Sequence, residues 1–283
     1  MTIGEWQFDP LQLALVALAG VCYAWRARVL AARGRTVRRA RKLGFYGGLT
    51  VALLALVSPV DYLGENRLLW VHMIQHVLLG DIAPLLVVAG LTGPLLRPLL
   101  ATPGVRRLRV LAHPLVALPL WALDLYVWHL RVLYEAALHH DGVHAFEHFC
   151  FFTCGALMWA AVIEPLPAPV WFGNGPKALY TLAVRVAGGV LGTLFIWAGH
   201  AFYPYYAHGD AISGISPLTD QRIAGAIMFV EGSVVTVVAF AWLFLRFTRE
   251  AEARQRLIER DVDPGLAARA ARYGRSSRLR DIG

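Results

Sequence analysis
Long apolar runs separated by short polar joints set the plan of this chain. A helix crossing a hydrocarbon layer about 30 Å thick needs about 20 mostly apolar residues. Seven stretches supply them, approximately Leu11 to Val29, Leu43 to Tyr62, Leu68 to Leu91, Val110 to Leu138, Val143 to Ile163, Ala178 to Tyr203 and Arg222 to Phe247. The joints, such as Asp61 to Asn66, Thr92 to Pro103, Pro165 to Pro176 and Gly209 to Pro217, carry the Gly and Pro residues that punctuate helices. The pattern predicts an all-α, polytopic membrane protein, with a seven-transmembrane-helix bundle over residues 1–249 and a basic tail over residues 250–283.

Composition sharpens this picture. Of 283 residues, 57% are hydrophobic and only 16% charged, far from the balance of a soluble domain. The net charge of +8 sits in clusters between apolar runs rather than along one exposed face. The expected partner is therefore the lipid bilayer, and no nucleic acid. The opening residues, MTIGEWQFDP, lack the basic stretch of a cleaved signal peptide, so the first run reads as a retained span. Cys22, Cys150 and Cys154 all lie in apolar segments, which argues against a disulfide framework.

Short cytoplasmic loops retain Lys and Arg, and that rule orients the bundle. The loop from Arg26 to Lys42 holds eight basic residues and that from Arg97 to Arg109 four; the fifth joint has Lys177, and the chain from Arg246 onward has ten. The opposite side has Arg67, Arg131 and Arg222. The N-terminus is thus expected outside and the C-terminus in the cytoplasm, with the tail from about Glu250 a solvated or headgroup-bound extension.

With direction assigned, helix rise of about 1.5 Å per residue gives each histidine a depth. His72 and His76 fall in the first two turns of the third span, and His144 and His148 in the first two of the fifth. His129 and His200 come near the outer ends of spans four and six. His113 sits at the cytoplasmic edge beside Pro114 and reads as structural. Residues four apart share a helix face, about 5 to 6 Å between Cβ atoms, so each HxxxH pair can present two imidazoles to one ion or to two adjacent ones. A lone histidine on an apolar helix is more often a packing residue. Two pairs at matching depth, where polar groups are expensive, instead point to metal ligation by His72, His76, His144 and His148, with His129 next. Imidazoles suit copper, and zinc as well.

Two other readings stay open. His144, Glu147 and His148 match H-x-x-E-H, which would make Glu147 the base of a membrane metalloprotease. Haem held by histidines from separate helices is the other. Cys150 and Cys154 point away from His144 and His148 and read as packing residues. Met73 and Met158 are either soft donors or core. Asp220 and Gln221 are expected to begin the seventh helix, as an N-terminal cap or as partners of a ligating imidazole. Deep in the membrane, Arg185 is expected to pair with Asp81, Asp124 or Glu231, since an unpaired charge there is costly.

Several stretches resemble a known family. They are Trp70-Val-His-Met-Ile-Gln-His76 with Ala83-Pro84, Trp128-His129 with Leu133-Tyr134-Glu-Ala-Ala-Leu138, and His144 with Glu147-His148. Tyr203-Pro-Tyr-Tyr206, Leu218-Thr-Asp-Gln221 and Ala224-Gly-Ala-Ile-Met228 complete the set. In order and spacing the chain resembles the CtaG-type multi-spanning assembly factors of caa-type cytochrome c oxidase. The resemblance implies a multi-pass protein of the cytoplasmic (inner) membrane. It also implies that cytochrome c oxidase subunits are the partners and that copper is handled at the outer face. On that basis the expected role is to bind and deliver a copper ion rather than to catalyse.

Overall fold
The computed structural model describes residues 6–274, apart from the Arg106 side chain; the end of the basic tail, residues 275–283, lies outside the described residues. Every regular element among them is helical. In chain order they are α1 (Pro10–Ala32), α2 (Arg39–Val57), α3 (Pro59–Asn66), α4 (Leu69–Val77), α5 (Ala83–Gly90), α6 (Gly93–Ala101), α7 (Pro103–Arg107) and α8 (Pro114–Trp128). There follow α9 (Arg131–His139), α10 (Asp141–Ile163), α11 (Asn174–Trp197), α12 (Ala207–Ser213), α13 (Pro217–Ile258) and α14 (Pro264–Arg272).

Six helices have the length and hydropathy of a membrane crossing, with α4 and α5 joined as one span, Leu69–Gly90. The number reaches seven when Pro103–Ala112 and α8, bent by 77° at their junction, are taken as one broken span. The bend has a local cause. Pro114 forces the residue before it out of helical geometry, and His113 is extended, at φ −70° and ψ 133°. Its Nδ1 then accepts from the Leu115 N–H at 3.3 Å, so His113 caps α8, the structural role expected of it.

Several boundaries differ from those the hydropathy pattern predicts. The second span ends at Val57, because Ser58 and Pro59 start the separate helix α3. The fourth ends at Trp128 rather than running to Leu138. Beyond it, Arg131, Glu135 and His139 recur every four residues, and Arg131 Nε bonds Glu135 Oε1 at 3.0 Å. This segment is therefore a short amphipathic helix, α9, that buries Tyr134 and Ala137 instead of crossing. Helix α13 continues past Phe247 to Ile258 on i,i+4 pairs such as Arg246–Glu250 and Gln255–Glu259.

The third span contains a π-helical turn, Leu78–Ile82, where Ala83 N–H bonds back to Leu78 O. Pro84 has no N–H, which leaves the Gly80 carbonyl without its helical partner. That carbonyl is turned onto Gly155 of α10, and a Cβ at position 155 would overlap it. The close approach packs the two histidine-bearing helices against each other.

At the end of the bundle away from the histidines, Glu164 caps α10 in left-handed geometry, φ 63°. Its buried carboxylate gathers three cations: Lys177 Nζ at 2.6 Å, Arg246 Nη2 at 3.0 Å and Arg272 Nη2 at 2.9 Å. Lys177, counted among the basic residues of the fifth joint, is therefore a buried ion-pair partner in the first turn of α11. Arg272 also donates to the Phe172 and Val170 carbonyls, so α14 folds back onto the joint between α10 and α11.

Candidate metal centre
Helix α4 starts at Leu69, and its first free N–H groups meet the Asp220 carboxylate of α13 at 2.7 Å from Leu69 N and 2.9 Å from Trp70 N. Asp220 thus caps a neighbouring helix, and Ser216 caps its own. Gln221 accepts from Phe202 N–H at 2.7 Å and donates to the Phe195 and His200 carbonyls. Both side chains therefore hold backbone rather than an imidazole: Asp220 fixes the start of the helix that carries His72 and His76, and Gln221 ties α13 to the end of α11 and the segment after it.

Asp210 of α12 is buried beside Asp220. Burial first, and the neighbouring Asp220 second, push its carboxyl up to about 7 from the ordinary 3.8. The folded chain then keeps a proton that the unfolded chain releases, so stability falls as pH rises from about 4 to about 7 and is level above. Asp210→Asn is expected to flatten that slope, read as the detergent-solubilised unfolding midpoint between pH 5 and pH 8.

Four histidines converge at this end of the bundle. One ligand atom from each of His72, His76, His144 and His148 lies within 4.8 Å of the other three, and all four rings are buried. Within each pair the ring centroids are 4.2 Å apart (His72 and His76) and 4.0 Å apart (His144 and His148). Across the pairs they are 5.3 Å (His72 and His144) and 6.0 Å (His76 and His148). His129, at the C-cap of α8, lies 6.0 Å from the His76 ring and stands beside the four rather than among them.

Hydrogen bonds orient three of the five rings. His72 Nδ1 is 2.9 Å from the Tyr206 hydroxyl, which itself donates to the Gly64 carbonyl at 2.9 Å. Tyr206 must therefore accept from His72 Nδ1–H, and it can also accept from Tyr134, whose hydroxyl is 3.0 Å away. Burial holds both phenols well above the usual tyrosine range, so they remain protonated donors. His144 Nδ1–H donates to Glu65 at 2.5 Å, and His129 Nδ1–H to the Leu125 carbonyl at 2.7 Å. In each ring this leaves Nε2 with a lone pair and no partner among the described residues. His76 and His148 have no hydrogen-bond partner at either nitrogen.

Gly64 makes this approach possible. A Cβ there would lie 2.9 Å from the His72 Cα, closer than real Cβ atoms pack. Glu65, Tyr206 and Gly64 were not among the predicted site residues. The one signal for them is that the joint after the second span and the Tyr203–Tyr206 stretch both lie at the histidine end. The other candidates fall away from the cluster. His200 is exposed, with its ring against Phe202. Met73 and Met158 are fully buried in separate apolar clusters.

Below the cluster lies a cavity of about 100 Å³, with His76, His129, Asp81, Arg185 and Glu231 in its wall. The expected ion pair of Arg185 does not form among the described residues. Its guanidinium bonds Ser233 Oγ at 2.8 Å and lies over the Phe229 ring at 4.1 Å, while Asp81 accepts from Trp159 Nε1 at 2.5 Å. All three line this cavity, yet within it the guanidinium is turned onto Ser233 and Phe229 rather than onto a carboxylate.

Neither the curated proteins nor the solved structures yield a match. The model of one protein family, described as the cytochrome c oxidase caa3 assembly factor, does match, over residues 21–250. That range takes in all the spans but the start of α1 and the end of α13, together with every residue of the histidine cluster and Gly64, Tyr206 and Asp220 beside it. The chain therefore belongs to the cytochrome c oxidase caa3 assembly factor family.

Proposed function
We propose that the protein binds copper through His72, His76, His144 and His148, with His129 as a further ligand, and holds it for insertion into cytochrome c oxidase. The carrying observation is the convergence of four buried imidazoles whose lone-pair nitrogens have no partner among the described residues. Buried polar atoms are normally satisfied, and such a concentration of unsatisfied ones has a ready explanation in a bound cation. Tetrahedral ligation at about 2.0 to 2.1 Å requires nitrogens roughly 3.3 Å apart, so the rings need to draw in by about 1 Å. Side-chain torsions on α4 and α10 supply that movement. Neutral imidazoles suit both copper states, and zinc fits the same donors.

Orientation follows from the basic residues of the α1–α2 joint and of the chain beyond Arg246, which favour the cytoplasm. The cluster then lies near the outer leaflet of the cytoplasmic membrane, where a subunit of the oxidase receives the ion. The family speaks for delivery rather than catalysis.

Tyr206→Phe is expected to weaken copper binding about 10- to 100-fold by freeing His72 to rotate, as losing a ligand's hydrogen-bond partner does elsewhere. Competitive titration of the purified variant checks it. The function itself is tested in cells carrying His72→Ala, His148→Ala. The variant should reach the membrane at parental levels, and the oxidase should be short of copper and activity. Normal oxidase in those cells contradicts the delivery role.

A further inference from the structure
Glu147 is the least satisfied charged group near the cluster. It is fully buried, and neither carboxylate oxygen meets a hydrogen-bond donor among the described residues. The basic group that approaches it is His76, with Nε2 3.7 Å from Oε1. On α10 it sits one turn after His144, and from there its carboxyl reaches across to His76 of α4, at the edge of the group of four close imidazoles. An isolated carboxylate in a low-dielectric interior is strongly disfavoured, and among the described residues no Lys or Arg offsets this one.

We infer that Glu147 is an anionic ligand of the same centre, which makes it selective for a divalent cation. This rests on the reading of the four histidines as ligands. Four neutral imidazoles leave a divalent ion with its whole charge inside the bundle, where it is poorly solvated. One carboxylate oxygen in the coordination shell halves that charge and gives the carboxylate the partner it lacks. A monovalent cuprous ion has less to gain, because its single charge is smaller and its preference is for soft donors.

The test uses the purified full-length protein and two probes, Zn²⁺ against a competing chelator and Cu⁺ against a cuprous chelator without oxygen. Glu147→Gln should lower Zn²⁺ affinity tenfold or more and change Cu⁺ affinity less than threefold. Glu147→Asp, which keeps the charge on a shorter stem, should keep the parental ratio of the two affinities to within about threefold. The inference is overturned if Gln changes neither affinity, if it lowers both equally, or if Asp shifts the ratio as far as Gln does. Failure of the underlying reading looks different. There, His72→Ala, His148→Ala binds both probes as tightly as the parent, whatever stands at position 147.

Discussion
Replacing His72 and His148 together by alanine is expected to lower copper affinity by about 10²- to 10⁴-fold, with each single change giving a partial loss. Each lost ligand is worth at least the roughly 10- to 100-fold of a lost supporting hydrogen bond. The effect is large because one ligand goes from each pair. Of the four, His76 on α4 and His144 on α10 remain, so neither helix keeps its i,i+4 chelate. The fold should survive, since α4 is held by Asp220 at its start and by the Gly80–Gly155 contact further along, neither of which involves an imidazole. Helical circular dichroism and size-exclusion behaviour should therefore match the parent. Retention of copper at parental affinity would mean the ion is held elsewhere.

The second large effect is expected at the other end of the molecule, from Glu164→Gln. Burial works against the Glu164 charge. The hydrogen bond and charge of Lys177, with the charge of Arg272, more than reverse that and hold the carboxyl below its ordinary range. Lys177 is fully buried, and Arg246 and Arg272 are mostly so. Removing their shared anion leaves uncompensated charge in the interior, which for a buried pair costs about 3 to 5 kcal/mol. Part of the loss should be recovered by Lys177→Met in the same chain, because the buried cation then goes too. A fall in unfolding midpoint for Glu164→Gln with recovery in the double variant is the expected pattern. An unchanged midpoint would show that the network adds nothing to stability.

The histidine cluster was legible in the sequence because two periodicities coincide. His72 with His76, and His144 with His148, each repeat at the spacing of one helix face, and helix rise puts all four at one level. The spans were legible for a similar reason, since apolar length alone decides them. Depth carries no information about rotation around a helix axis, and that is where the sequence reading failed. Arg185, Asp81 and Glu231 are at one level, but Arg185 turns to Ser233 and Phe229. Asp220 begins a helix in sequence, yet in space it caps α4. Glu65 and Tyr206 lie in joints, where no periodicity tells which way a side chain points. Only the folded chain shows them holding His144 and His72. The end of the fourth span was missed because Leu130 to Leu138 is apolar in sum while its charges line up on one face.

X-ray absorption at the metal edge of the protein as purified, without added metal, reads which ion the histidines hold and what surrounds it. The expected result is copper in a shell of nitrogen and oxygen donors at about 2.0 Å, with the outer-shell scattering of several imidazole rings and no sulfur. Protein without copper, or copper with a thiolate sulfur at about 2.3 Å, contradicts it.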